Sequence, residues 1–148
     1  MTQPMSPDPE TLEAALRRAA ESQPGIAAAY LFGSAAAGRR TPISDLDVAL
    51  VFMPEVTGTE RRRLGSEVAS ALVRDLGDIR PDVRDAEALP LAVRGEVATR
   101  GILAASIDEV RRVRFEAETR QRYFDFIPFR AATVGPALEA LRARYSDG

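Results

Sequence analysis

The sequence predicts an α+β domain, with helices packed on a small β-sheet, and three observations carry that expectation. Residues 45–53 alternate strictly between two faces, as a strand does. Residues 9–23 and 59–76 instead repeat their apolar positions at helical spacing. The elements then follow in a mixed order: helix, two strands, helix, strand, helix and a helical last third. That order suits a small sheet with helices packed on it.

Residues 1–9 hold three prolines and little apolar surface, and read as a loose tail. Asp8 suits a helix N-cap and Pro9 a first helical position, with Leu12, Ala15, Leu16 and Ala19 as the apolar stripe. Pro24-Gly25 ends that helix. IAAAYLF (26–32) reads as a short apolar strand, and residues 34–39 as a helical turn or two after Gly33. In the strand at 45–53, Leu46, Val48, Leu50 and Phe52 share one face. Asp45, Asp47, Ala49, Val51 and Met53 share the other.

A long helix then turns Leu64, Val68, Ala71, Leu72 and Leu76 inward and closes at Gly77. IRPDVRD (79–85) is a further strand, with Pro81 tolerated near a start or an edge. A helix at 89–101, a short strand at 102–106, a charged helix from Ile107 to about Ile127 and a last helix at 135–145 complete the chain. Pro128 is expected to kink or break the charged helix. The organisation is thus a tail at 1–9, a domain at 10–106 and a helical C-terminal extension at 107–148, packed on the same domain.

Composition removes several chemistries. With no cysteine and no histidine, thiolate and imidazole metal sites, Cys nucleophiles and Ser-His-Asp catalysis are all excluded. Chemistry must run on carboxylates, hydroxyls, arginines and backbone amides. A formal net charge of −2 supplies no global basic field for nucleic acid. Arginines 111, 112, 114, 120 and 122 alternate with acidic residues and read as a solvated helix face. The N-terminus lacks the pattern of a signal peptide and no apolar run reaches a membrane span, so a cytoplasmic location is the default expectation.

The candidate site lies in FGSAAAGRRTPISDLDVALVF. Asp45 and Asp47, two apart on a strand, project from the same face and repel unless a cation lies between them. Mg²⁺ takes one or two such carboxylates together with water and substrate phosphates. Gly33-Ser34 stands where an apolar strand yields to an expected helix N-terminus, whose exposed backbone N–H groups suit an anion. Glycine there admits close approach of an anion, and the hydroxyl adds a donor. A phosphate cradle beside a metal-binding pair is what nucleotide chemistry needs.

Gly33-Ser34, ten residues and Asp45-x-Asp47 together resemble the signature of the DNA-polymerase-β-like nucleotidyltransferase superfamily. Gly38-Arg39 and Pro42-x-Ser44-Asp45 are similar to the pattern of its small prokaryotic branch, the minimal nucleotidyltransferase (MNT) domains. The resemblance implies a small mixed sheet flanked by helices. It also implies two Mg²⁺ ions on Asp45 and Asp47, with the phosphates of a nucleoside triphosphate such as ATP held at Gly33 and Ser34. A third carboxylate is expected from a later strand; Asp82 matches best, with Asp78 and Asp85 as rivals, and Arg84 stands where the family usually has an apolar residue. Arg39 or Arg40 is placed to reach the triphosphate, and Ser44 to cap the turn into the strand or to touch the nucleotide.

Stand-alone MNT proteins pair with HEPN-domain ribonuclease toxins, so the resemblance implies an antitoxin that transfers AMP to a toxin tyrosine. Neutralisation by binding alone, or transfer to a small acceptor such as an aminoglycoside, are the alternatives. RYFDFIPF (122–129) packs more aromatics together than one helical face can hold. Tyr123, Phe124, Phe126 and Phe129 are therefore candidate partner-surface residues.

Overall fold

The computed structural model describes residues 7–36, 45–129 and Arg144. Helix α1 (Pro9–Glu21) opens as expected: the Thr11 amide donates to Asp8 Oδ1 at 2.8 Å, and Pro9 occupies the first turn. Strand β1 (Ile26–Phe32) is buried along its whole length. Its alanines belong to the centre of a sheet covered on both faces, where small side chains let the flanking elements approach closely. Gly25 makes the turn before it at φ +101°, and a Cβ there would press on Val56 and Leu64.

Strand β2 (Asp45–Phe52) runs antiparallel to β1, with Phe32 opposite Asp47 and Leu31 opposite Val48. Helix α2 (Gly58–Leu76) carries the chain back and stops at Gly77, φ +80°. This crossover lets β3 (Arg80–Asp85) lie parallel to β2. After helix α3 (Leu91–Arg100), strand β4 (Ile102–Ser106) pairs antiparallel with β1. The sheet order is β3-β2-β1-β4, mixed as expected, with β3 at an edge.

Each face of the sheet has its own core. Ala29, Leu31, Leu46, Val48, Leu50 and Phe52 pack with Leu12 and Leu16 of α1 and Leu64, Val68 and Leu72 of α2. On the other face, Ala28, Tyr30, Phe32, Ala49 and Val51 meet Val93 and Val97 of α3 and Phe115 of helix α4 (Glu109–Phe129). The alternation in 45–53 therefore feeds two cores, and its charged start lies on the α3/α4 side.

Three expectations are corrected. The helix expected at 89–101 begins at Leu91, and a 3-10 turn, Ala86–Ala88, precedes it because Asp85 accepts from the Glu87 amide at 3.0 Å. Residues 33–36 form turns rather than helix. Helix α4 starts at Glu109 and includes Pro128, so the proline does not end it at Ile127. Its start is set by Asp108, whose side chain accepts from the Arg111 amide at 3.0 Å. The helix expected at 135–145 lies outside the described residues, apart from Arg144, which is helical.

Helix α4 is clamped at its start and along its length. Glu87 accepts from Arg111 at 2.5 Å and from Arg61 of α2 at 3.2 Å, tying both helices to the 3-10 turn. Burial alone would raise the Glu87 carboxyl, but Arg111 and Arg61 outweigh it and hold it below the usual range. Further along, the Tyr123 ring lies on Gly95 of α3, where any Cβ would run into it. Gly95→Ala is therefore expected to cost about 1–3 kcal/mol through overpacking, read as a drop of several degrees in Tm; an unchanged Tm would contradict this packing.

Candidate active site

The register between β2 and β3 builds the site. Asp45, Asp47 and Ala49 stand beside Arg80, Asp82 and Arg84, and partners in register on adjacent strands project from the same face. The row on β2 reads Asp-Asp-Ala, and the row on β3 reads Arg-Asp-Arg. Antiparallel pairing on the other side brings the end of β1, and with it Gly33-Ser34, to the first residues of β2. One end of the sheet thus gathers Gly33, Ser34, Asp45, Asp47 and Asp82.

Asp47 is the central group, only 5% exposed and flanked by both other carboxylates. Burial first, then the charges of Asp82 and Asp45, push its carboxyl up to about 7, with Arg84 opposing. No hydrogen bond contributes to that balance among the described residues. Asp45 meets Arg80 Nε at 3.3 Å, and Asp82 meets Arg84 at 2.8 Å and 3.4 Å through two nitrogens.

The rivals of Asp82 are placed elsewhere. Asp85 lies on the opposite face of β3, where it binds Arg61 at 3.0 Å and caps the 3-10 turn. Asp78 is exposed in the loop before β3. Only Asp82 stands in register with Asp47. Arg39, Arg40 and Ser44 lie outside the described residues.

Ser34 is 1% exposed, and its hydroxyl has no hydrogen-bond partner among the described residues. Burying an unsatisfied hydroxyl costs free energy, so its presence beside Gly33 (φ +67°) fits a site that awaits an acceptor. Of the aromatic cluster, Tyr123 is buried against α3, Phe126 is half-buried and Phe124 is 56% exposed. The Phe129 side chain lies outside the description. Phe124 is thus turned outward while Tyr123 is taken up by packing.

Arg80 and Arg84 were missed as site residues by the sequence reading, although the period-two pattern Arg80-x-Asp82-x-Arg84 was available to it. The two arginines occupy Asp45 and Asp82, and no three carboxylates among the described residues are gathered closely enough to hold a metal ion as they stand.

A family model described as polymerase beta, nucleotidyltransferase, matches residues 15–110, about two thirds of the chain. The chain belongs to that nucleotidyltransferase family. Among solved structures it is similar to a chain of a toxin–antitoxin crystallised with AMP-PNP, at 23% identity and a TM-score of 0.61, covering 89% of this chain and 99% of that one. A chain of the MntA-HepT toxin–antitoxin gives 21% identity and 0.59, over 87% and 98%. A complex of tri-AMPylated Shewanella oneidensis HEPN toxin with MNT antitoxin gives 22% and 0.57, over 88% and 98%. No curated protein matches the sequence. Among the described residues no helix is long and apolar enough to cross a membrane.

Proposed function

We propose that this protein is a Mg²⁺-dependent adenylyltransferase that neutralises a HEPN-domain ribonuclease toxin by transferring AMP from ATP to a toxin hydroxyl, working in the cytoplasm. The observation that carries the reading is the register of Asp47 with Asp82, which completes a carboxylate triad with Asp45 beside Gly33-Ser34. Support also comes from the structural neighbours, one with AMP-PNP and one with an AMPylated HEPN toxin.

The donor set suits Mg²⁺: three carboxylates, one of them buried with charge it cannot comfortably keep alone. Asp45, Asp47 and Asp82 would hold two ions, which supply neutralisation of phosphate charge and a more acidic acceptor hydroxyl. In the transfer, the acceptor oxygen bonds to the α-phosphorus of ATP while the bond to the bridging oxygen breaks, and pyrophosphate leaves. Gly33 and the Ser34 hydroxyl hold the phosphates in line. Asp82, the more open of the two carboxylates paired across β2 and β3, or water takes the hydroxyl proton. Positioning and charge carry most of such a reaction. Arg39, which matches the family pattern, is assigned to the triphosphate, and Ser44 to nucleotide binding.

Ser34→Ala is expected to raise KM for ATP about tenfold, the worth of one hydrogen bond to a charged group. Stability without nucleotide should hold or rise, since the hydroxyl is unpartnered. An unchanged KM would remove Ser34 from the site.

Rescue of growth tests the function as a whole. Cells expressing the HEPN partner should recover with the wild-type protein and fail to recover with Asp45→Asn. Equal rescue by the variant, with a stable complex, would make this an antitoxin that acts by binding alone. Phe124→Ala should weaken that complex if the exposed ring belongs to its surface.

A further inference from the structure

We propose that Arg84, aided by Arg80, is a built-in competitor for the divalent cation: it holds the third carboxylate when no metal is bound and must be displaced for the site to load. The proposal rests on the metal-dependent reading above. Arg84 grips Asp82 through two nitrogens, at 2.8 Å and 3.4 Å, and its charge also reaches Asp47. Arg80 does the same for Asp45 through one contact at 3.3 Å. Both outer members of the carboxylate row are therefore neutralised from within the chain, by arginines two residues either side of Asp82 on one face of β3.

Exposure ranks the two arginines. The Arg84–Asp82 pair is 44% and 33% exposed, the Arg80–Asp45 pair 73% and 46%. Solvent screens the second pair more, so Arg84 is the stronger competitor. Charge on an edge strand commonly serves to discourage pairing with other chains. That role asks only for solvated charge. It does not ask for two guanidiniums laid on the carboxylates of the site.

The consequence is a site that resists metal alone. A free ion must break the Arg84–Asp82 fork, and it then meets the guanidinium charge nearby. Once displaced, the guanidinium stays within reach of the phosphates that arrive with the ion, and arginine's fork matches phosphate oxygens. Metal loading is thereby coupled to nucleotide loading: metal delivered with a triphosphate binds better than metal delivered without one.

The test is Mn²⁺ binding to the nucleotide-free protein, followed by the electron paramagnetic resonance of the free ion. Arg84→Leu is expected to bind Mn²⁺ about two- to fivefold more tightly than wild type, the range set by the worth of a part-exposed ion pair. Arg84→Gln, polar but uncharged, should do the same should leucine disturb the strand. Arg18→Leu, which removes an arginine from a surface pair with Asp75, should change nothing. Unchanged or weaker binding in both Arg84 variants would overturn the proposal, as would an equal gain in Arg18→Leu, which would reduce the effect to net charge. Asp47→Asn separates the two readings: wild-type binding that this variant abolishes upholds the metal site whatever Arg84 does. Absence of any such binding in the wild type and in both Arg84 variants would overturn the metal site and the competitor together.

Discussion

Asp47→Asn is expected to reduce AMP transfer by on the order of 10³-fold while leaving the fold intact or firmer. The two effects have one origin. Asp47 is buried between two other carboxylates, and its carboxyl is pushed up to about 7 from an ordinary 3.8. A carboxyl raised in the folded state binds its proton more tightly there than in the unfolded chain. Stability is therefore undiminished below about pH 3.8, falls as pH rises towards 7, and levels off above. The full cost is on the order of a few kcal/mol. In metal-free buffer with a chelator, wild-type stability should fall between about pH 4 and 7, and the fall should be much smaller in Asp47→Asn. Parallel curves for the two proteins would show that Asp47 is not held in that environment. Asparagine removes the charge without changing shape, so lost transfer cannot then be laid to misfolding.

Asp82→Asn should lower the transfer rate by about 10²- to 10⁴-fold, the usual span for a lost proton acceptor. Asp85→Asn, three residues on, should leave the rate within a few-fold of wild type and instead cost stability. The difference follows from β3. Asp82 lies on the face of Asp47, whereas Asp85 lies on the α2 face, bound to Arg61 and capping the 3-10 turn. Asparagine keeps an oxygen for the cap but weakens the ion pair with Arg61, which should cost up to about 1 kcal/mol. Single-turnover rates and urea midpoints on the two variants separate the roles. A slow Asp85→Asn beside a normal Asp82→Asn would reverse the assignment.

Much of this was legible in the chain, for identifiable reasons. Asp8-Pro9 and Gly77 mark helix ends by local chemistry, and local chemistry survives folding. The alternation from Asp45 to Phe52 separates two faces whatever covers them, so both the strand and the common face of Asp45 and Asp47 could be read directly. The partner of Asp47 could not. The parallel pairing that sets Asp82 beside it depends on how α2 returns the chain, and Asp82, though the best match, has Asp78 and Asp85 as rivals until that register is known. Arg80 and Arg84 carry no sign of a site role in the sequence for the same reason: nothing in IRPDVRD says which strand lies next to it. The aromatic cluster divided on a tertiary detail as well. Tyr123 is buried because Gly95, on another helix, leaves room for its ring, while Phe124 one residue on turns outward.

Intact-mass spectrometry of the HEPN partner, after incubation with this protein, ATP and Mg²⁺, bears most directly on the transferase reading. The partner should gain one or more AMP units with the wild-type protein and none with Asp47→Asn. A partner of unchanged mass, or one modified equally by the variant, would contradict it.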